Sequence, residues 1–166
     1  MFLRNSLGPV PEYLRNTLQS RSTPEKFAGE CMPEAVRMAA FTAEDPDDRR
    51  AFDAHMARVR SSPDITLRAI TCDGPLVGSI ASFVSGDQTE VTYWIDRPAW
   101  GRGIASQALE LLLKLVVFRP LHARAASDNI ASLRVLQKAG FDIAGTENSY
   151  APGRGREIEE TILRLE

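Results

Sequence analysis

Cysteine is nearly absent from this chain: Cys31 and Cys72 are the two it has in 166 residues. Two thiols form neither a disulfide framework nor a metal-ligand spacing, so a reducing, cytoplasmic setting is expected. Histidine is as scarce, with His55 and His122 alone. With no third ligand at a sensible spacing, no metal is expected. No sign of charge dominates. Twenty Lys and Arg stand against 22 Asp and Glu, a net charge of −2, which removes the electrostatic case for a nucleic-acid partner. Long apolar runs are missing too. The longest, over 111–113 and 115–118, is broken by Lys114 and is too short to span a bilayer, so no membrane partner is expected. No uninterrupted apolar core follows Arg4, and no secretion signal is expected. What remains, 43% hydrophobic and 25% charged residues, is ordinary for one globular domain.

The chain carries one strongly patterned stretch. Residues 89–95 alternate as a strand, a short polar turn follows and ends in Gly101-Arg102-Gly103, and an apolar-periodic helix over 103–118 begins there. The first N–H groups of a helix have no partner within it, and the dipole at that end is positive. Glycines let those groups approach an anion without a Cβ in the way. Strand, glycine turn and helix start therefore point to a diphosphate. The dinucleotide fingerprint fits poorly. Its third glycine is replaced by Ser106, and four residues, Arg97 to Trp100, separate the strand from the first glycine.

Around this stretch the patterning is regular. A strand over 35–41 leads to a helix over 47–60, with acids early and arginines late. Strands over 65–72, 76–84 and 89–95 follow in succession. Tight turns at Asp73-Gly74 and Ser85-Gly86-Asp87 make them antiparallel. A strand over 121–126 returns by a crossover helix and lies parallel to the one before it. A helix over 129–139 closes at Gly140, and strands over 141–150 and 157–165 complete the chain.

Two motifs together resemble a family. The loop Trp100-Gly101-Arg102-Gly103-Ile104-Ala105 is similar to the Q/R-x-x-G-x-G/A loop of the GNAT superfamily of acetyl-CoA-dependent N-acetyltransferases. The segment with Asn129, Ser132, Lys138, Gly140 and Phe141 resembles that superfamily's Asn-led helix closing in K-x-G-F. The wording is closest to the ribosomal-protein N-terminal (alanine/serine) acetyltransferase branch. The resemblance covers 34–166 as an acetyltransferase domain and leaves 1–33 as an N-terminal extension. Met32 is then an alternative translation start. The implied fold is α/β (α+β), with a mixed, mostly antiparallel sheet of six or seven strands, splayed at its centre and flanked by helices.

The implied cofactor is acetyl-CoA, as co-substrate. Its pantetheine would lie between the two parallel strands, bonded by backbone groups of Trp94, Ile95 and Asp96. Its pyrophosphate would meet the N–H groups of Gly101, Arg102, Gly103, Ile104 and Ala105. Trp100 stands where the family places Gln or Arg, and packing is its expected role. Arg102 is either a phosphate partner or a solvated arginine. Asn129 is a helix N-cap by sequence, and the matching family residue contacts the pantetheine. Ser132 lies on the same helix face. In close relatives that serine is proposed to protonate the departing thiolate; the plain alternative is an exposed helical serine. Many members carry a tyrosine where Leu136 stands, so Ser132 or Tyr150 is left as the acid.

Attack requires a neutral amine and a group to take its proton. Glu90, on the cofactor strand, is the candidate base; its alternative is a surface acid. A backbone N–H near Ile95 or Asp96 would meet the oxyanion. Arg154 and Arg156 either gate an acidic acceptor or belong to a solvated loop. Glu44, Asp45, Asp47, Asp48 and Asp53 either attract a cationic amine or complement the helix dipole. The expected function is direct acetyl transfer to a primary amine, a protein N-terminus or a small molecule, in a ternary complex. The alternative is a non-catalytic CoA-binding sensor. A homodimer is common in the family.

Overall fold

The computed structural model describes residues 61–166 together with Arg50, Ala54 and 57–59. The extension over 1–33, the strand over 35–41, the acidic group at 44–53 and His55 lie outside the described residues. Arg50, Ala54, 57–59 and Ser61 are helical, and Val59 is buried.

Three strands form an antiparallel meander: β1 (Thr66–Thr71), β2 (Leu76–Ser85) and β3 (Gln88–Ile95). Helix α1 (Ile104–Leu115) crosses to β4 (Leu121–Ala126). Helix α2 (Ile130–Lys138) leads to β5 (Asp142–Ala151), which hairpins into β6 (Arg156–Leu165). The six described strands make one sheet in the order β1-β2-β3-β4-β6-β5. This is the mixed, mostly antiparallel sheet flanked by helices that the resemblance implies.

Strand alternation assigns the two faces. Val91, Tyr93 and Ile95 of β3, Leu121, Ala123 and Ala125 of β4, and Leu163 of β6 share one apolar cluster with Ala108, Leu109 and Leu112 of α1 and Leu136 of α2. Glu90, Thr92 and Trp94 alternate with the first set and so belong to the opposite face, as do His122 and Arg124 on β4.

The joint between the two halves of the sheet decides everything that follows. β2 and β3 pair over eight positions, whereas β3 and β4 pair in parallel at two, Thr89 with Leu121 and Glu90 with His122. Beyond Glu90 the two strands part. The splayed centre expected from the resemblance is present, and it opens toward the C-terminal ends of both strands.

One helix is shorter than its sequence pattern. α1 ends at Leu115 rather than 118, and Val116 is extended, at φ −100° and ψ 95°. Two β-branched residues, Val116 and Val117, weaken the helix there, and Arg119 precedes a proline. The Arg119 guanidinium donates to the carbonyls of Val116 (2.7 Å) and Phe118 (2.8 Å), which serves acceptors the helix no longer uses. Leu115, the last residue of the helix, and Phe118 beyond it are exposed.

Candidate functional site

The glycine loop stands at the open end of the gap. After β3 the Asp96 N–H bonds the Val77 carbonyl at 2.7 Å, and a 3-10 turn covers Arg97–Ala99. The Asp96 carboxylate accepts the Arg97 N–H at 2.9 Å. Burial pushes the Asp96 carboxyl up, against that hydrogen bond. Trp100 packs against the core and its Nε1–H donates to the Ile95 carbonyl at 2.7 Å. The expected packing role of Trp100 is therefore what the fold gives it. It also occupies one of the β3 carbonyls that faces the loop.

Gly101 and Gly103 both have positive φ, +73° and +75°. An L side chain at either would be strained, so the loop's shape depends on glycine. Gly103 is the N-cap of α1, and no side chain accepts the N–H groups of the helix's first turn. Those donors, with Ile104 and Ala105 beginning the helix, suit an anion. Arg102 is half-exposed. Its guanidinium is 3.3 Å from the Cys72 sulfur and 3.8 Å from the Asp73 carboxylate, so it leans on the β1–β2 turn.

A close approach absent from the sequence reading lies beneath Trp94. A Cβ on Gly78 would collide with the Trp94 carbonyl oxygen and crowd Ile95. Only a glycine on β2 lets β3 run so near at the residues assigned to the pantetheine.

The other lip of the gap belongs to α2. Asn129 is its N-cap: the Oδ1 accepts the Ser132 N–H at 3.2 Å. The side chain is fully buried, yet its Nδ2 has no hydrogen-bond partner among the described residues. A buried amide donor left unmade is costly. The cap uses the oxygen and not the nitrogen, so the two readings of Asn129 can coexist in one side chain. Ser132 is also fully buried, not an exposed helical serine. Its Oγ is 2.9 Å from the hydroxyl of Tyr93 on β3. That bond crosses from one lip of the gap to the other. Burial pushes the Tyr93 phenol far up, although the Ser132 hydroxyl opposes the shift. Tyr93 escaped the sequence reading, but alternation alone places it on the helix face, opposite to Glu90.

Glu90 is buried on the far face rather than lying on the surface. It is 3.6 Å from the Arg124 Nε, and Arg124 also contacts the Glu147 carboxylate. His122, beside Glu90, has an Nδ1 without a hydrogen-bond partner among the described residues. Burial, then Arg164 and Arg124, push its imidazole down, against Asp87 and Glu166. Tyr150 is 61% exposed on β5, two strands from β4, and no hydrogen bond joins it to Ser132 among the described residues. Arg154 is not solvated. Its side chain is 7% exposed and holds Asp128 through two bonds of 2.6 and 2.9 Å. That pair holds the Asp128 carboxyl below its ordinary range. It borders a cavity of about 180 Å³ lined also by Ser127, Arg156, Ile158 and Glu159. Among the described residues, no group of three or more His, Cys, Asp or Glu could hold a metal.

Comparison with known structures returns the same architecture. An N-acetyltransferase from Staphylococcus aureus Mu50 aligns at a TM-score of 0.69, with 18% identity, over 100% of this chain and 97% of that one. The ribosomal-protein-S18-alanine N-acetyltransferase from Escherichia coli aligns at 0.59, with 17% identity, over 68% and 75%. The microcin C7 self-immunity acetyltransferase, solved with acetyl-CoA and AMP, aligns at 0.61, with 14% identity, over 82% and 85%. At these identities the likeness concerns the fold. No curated protein sequence matches. The profile of the acetyltransferase (GNAT) domain matches residues 14–142, most of the chain, and the protein belongs to that family.

Proposed function

We propose that this protein transfers the acetyl group of acetyl-CoA to a primary amine, a protein N-terminus or a small molecule, by direct attack within a ternary complex. The observation that carries the reading is the parting of β3 and β4 after two paired positions, with an uncapped, glycine-led helix at the open end. The N–H groups of Gly101, Arg102, Gly103, Ile104 and Ala105 hold the pyrophosphate. The Ile95 backbone and the Asn129 amide hold the pantetheine arm; the Asp96 N–H and carbonyl are already taken by Val77 and Ala99, and the Trp94 carbonyl lies against Gly78 on β2. Trp100 already claims the Ile95 carbonyl, which leaves that residue's share to its N–H. When bound, acetyl-CoA supplies an activated acyl group; the chain supplies position and proton management.

The two candidate catalytic groups lie on opposite faces. Glu90 faces away from α1 and α2, and Ser132 sits on their side. An amine entering from the Glu90 face loses its proton to that carboxylate, directly or through water. The leaving sulfur is met from the other side by Ser132. Arg124, 3.6 Å away, pairs with Glu90 and holds it in place. Tyr150 is too exposed to compete with Ser132 for this role. Cys72, the one described cysteine, lies on the β1–β2 turn beside Arg102, so among the described residues no cysteine is positioned at Ser132 or Glu90 to form an acyl-enzyme.

Isothermal titration of acetyl-CoA tests the reading, with Gly103→Glu as control. Micromolar binding by the wild type, abolished by the variant, is expected. The substitution adds strain at φ +75° and a negative charge where phosphate must sit. An amine panel read by free-thiol release then finds the acceptor. Binding without turnover of any amine, or equal binding by both proteins, counts against the proposal.

A further inference from the structure

The bond between Tyr93 and Ser132 has no part in the family resemblance, and it spans the gap in which the thioester is proposed to lie. Both side chains are fully or almost fully buried, and 2.9 Å separates their oxygens. Each hydroxyl can donate once and accept. A phenol is the stronger acid of the two and so the better donor. If Tyr93 donates to Ser132, the Ser132 hydrogen is released to point at something else, and chains of donors strengthen one another.

We propose that Tyr93 is a positioning residue which, by donating to Ser132, aims and strengthens the Ser132 hydroxyl as a hydrogen-bond donor to the departing CoA sulfur. The inference rests on the acetyl-CoA reading above. It also changes the role of Ser132. An aliphatic alcohol is a weaker acid than a thiol, so the serine proton does not cross to sulfur. As the C–N bond forms and the C–S bond breaks, the C–S electron pair stays on sulfur as a thiolate. The amine proton goes to Glu90, and the Ser132 and Tyr93 protons stay where they are. Burial holds the Tyr93 phenol protonated throughout the usable pH range, which suits a permanent donor. Stabilising charge where it develops, with donors fixed in advance, is the logic of an oxyanion hole applied to sulfur.

The test is the ionisation of the bound CoA thiol, followed through thiolate absorbance or through the pH dependence of CoA binding against desulfo-CoA. In the wild-type protein the bound thiol is expected to ionise clearly below the thiol of free CoA measured in the same buffer, an alkyl thiol less acidic than cysteine at about 8.5. Tyr93→Phe, which keeps the ring, is expected to weaken thiolate binding by about tenfold, the equivalent of one pK unit, with desulfo-CoA affinity unchanged. Ser132→Ala should lose at least as much, and the double variant no more than Ser132→Ala alone, because the two act as one chain. Turnover should fall in kcat, not in the KM for acetyl-CoA, and recover with thioesters of more acidic thiols. An ordinary thiol pK in a protein that binds CoA overturns this inference alone, as does a pK that Tyr93→Phe leaves unmoved. Failure of the wild type to bind either CoA or desulfo-CoA overturns the acetyl-CoA reading and this one with it. Should Tyr93→Phe fail to fold, Ser132→Ala carries the same measurement: an unshifted pK there defeats the proposal.

Discussion

Asn129 does two jobs with two atoms, and the two can be separated. Its oxygen caps α2 and its buried nitrogen has no partner among the described residues. Asn129→Ser keeps a capping oxygen and loses the amide donor; Asn129→Ala loses both. Thermal melts should therefore show Ala costing about 1 kcal/mol and Ser much less. Both should weaken acetyl-CoA binding alike, by about tenfold, the loss of one buried donor. Loss of affinity that tracks loss of stability would mean the nitrogen has no ligand. Residue by residue, the sequence was most legible where chemistry and position coincide. Asn129 and Ser132 stand one helical turn apart, so their shared face follows from spacing. Tyr93 and Arg124 were missed because their importance depends on what a distant element brings alongside. Nothing within β3 says that a serine on α2 will arrive at its hydroxyl.

At the scale of elements, β2 shapes β3. Gly78 faces Ile95 across the ladder, and the Trp94 carbonyl fills the space where its side chain would be. Gly78→Ala must push that carbonyl aside. The expected result is a loss of about 1–3 kcal/mol of stability, with weaker acetyl-CoA binding even under conditions where the variant is folded. Denaturant melts and calorimetry check both; a fully stable variant would mean β3 can shift without cost. Element boundaries were legible to within a residue or two for all six described strands, because alternation and turn residues agree there. The end of α1 was not. Apolar periodicity continues through Val116, Val117 and Phe118, and periodicity cannot distinguish a helix's last turn from an apolar linker that runs on to the next strand.

At the scale of the molecule, His122 is the described group that begins to respond to acid nearest neutrality. His122 has a lowered folded pKa, first through burial and then through Arg164 and Arg124. The unfolded chain takes up its proton near an ordinary value of about 6.5, before the folded protein does. Its contribution to stability is therefore whole above that value and is lost as pH falls toward the folded pKa. Asp128, held down by Arg154, acts in the same direction but in the carboxylate range, and it is largely solvent-screened. Asp96, pushed up by burial, opposes it there. Melting temperature should thus begin to decline just below neutrality, and His122→Leu should flatten that first limb. An unchanged limb in the variant would assign it to other groups.

The two-position seam between β3 and β4 has one more consequence. A sheet normally keeps its unpaired edges at its outer strands, where another chain can add to them. Here two strands in the middle of the sheet also turn partly unpaired edges toward each other. The protein thus keeps the sticky rim of a β-sheet indoors, in the gap where β3 and β4 part. An occupant with amides of its own, as the proposed pantetheine arm has, would bind there as a strand binds, by completing a ladder, and would knit two half-sheets into one.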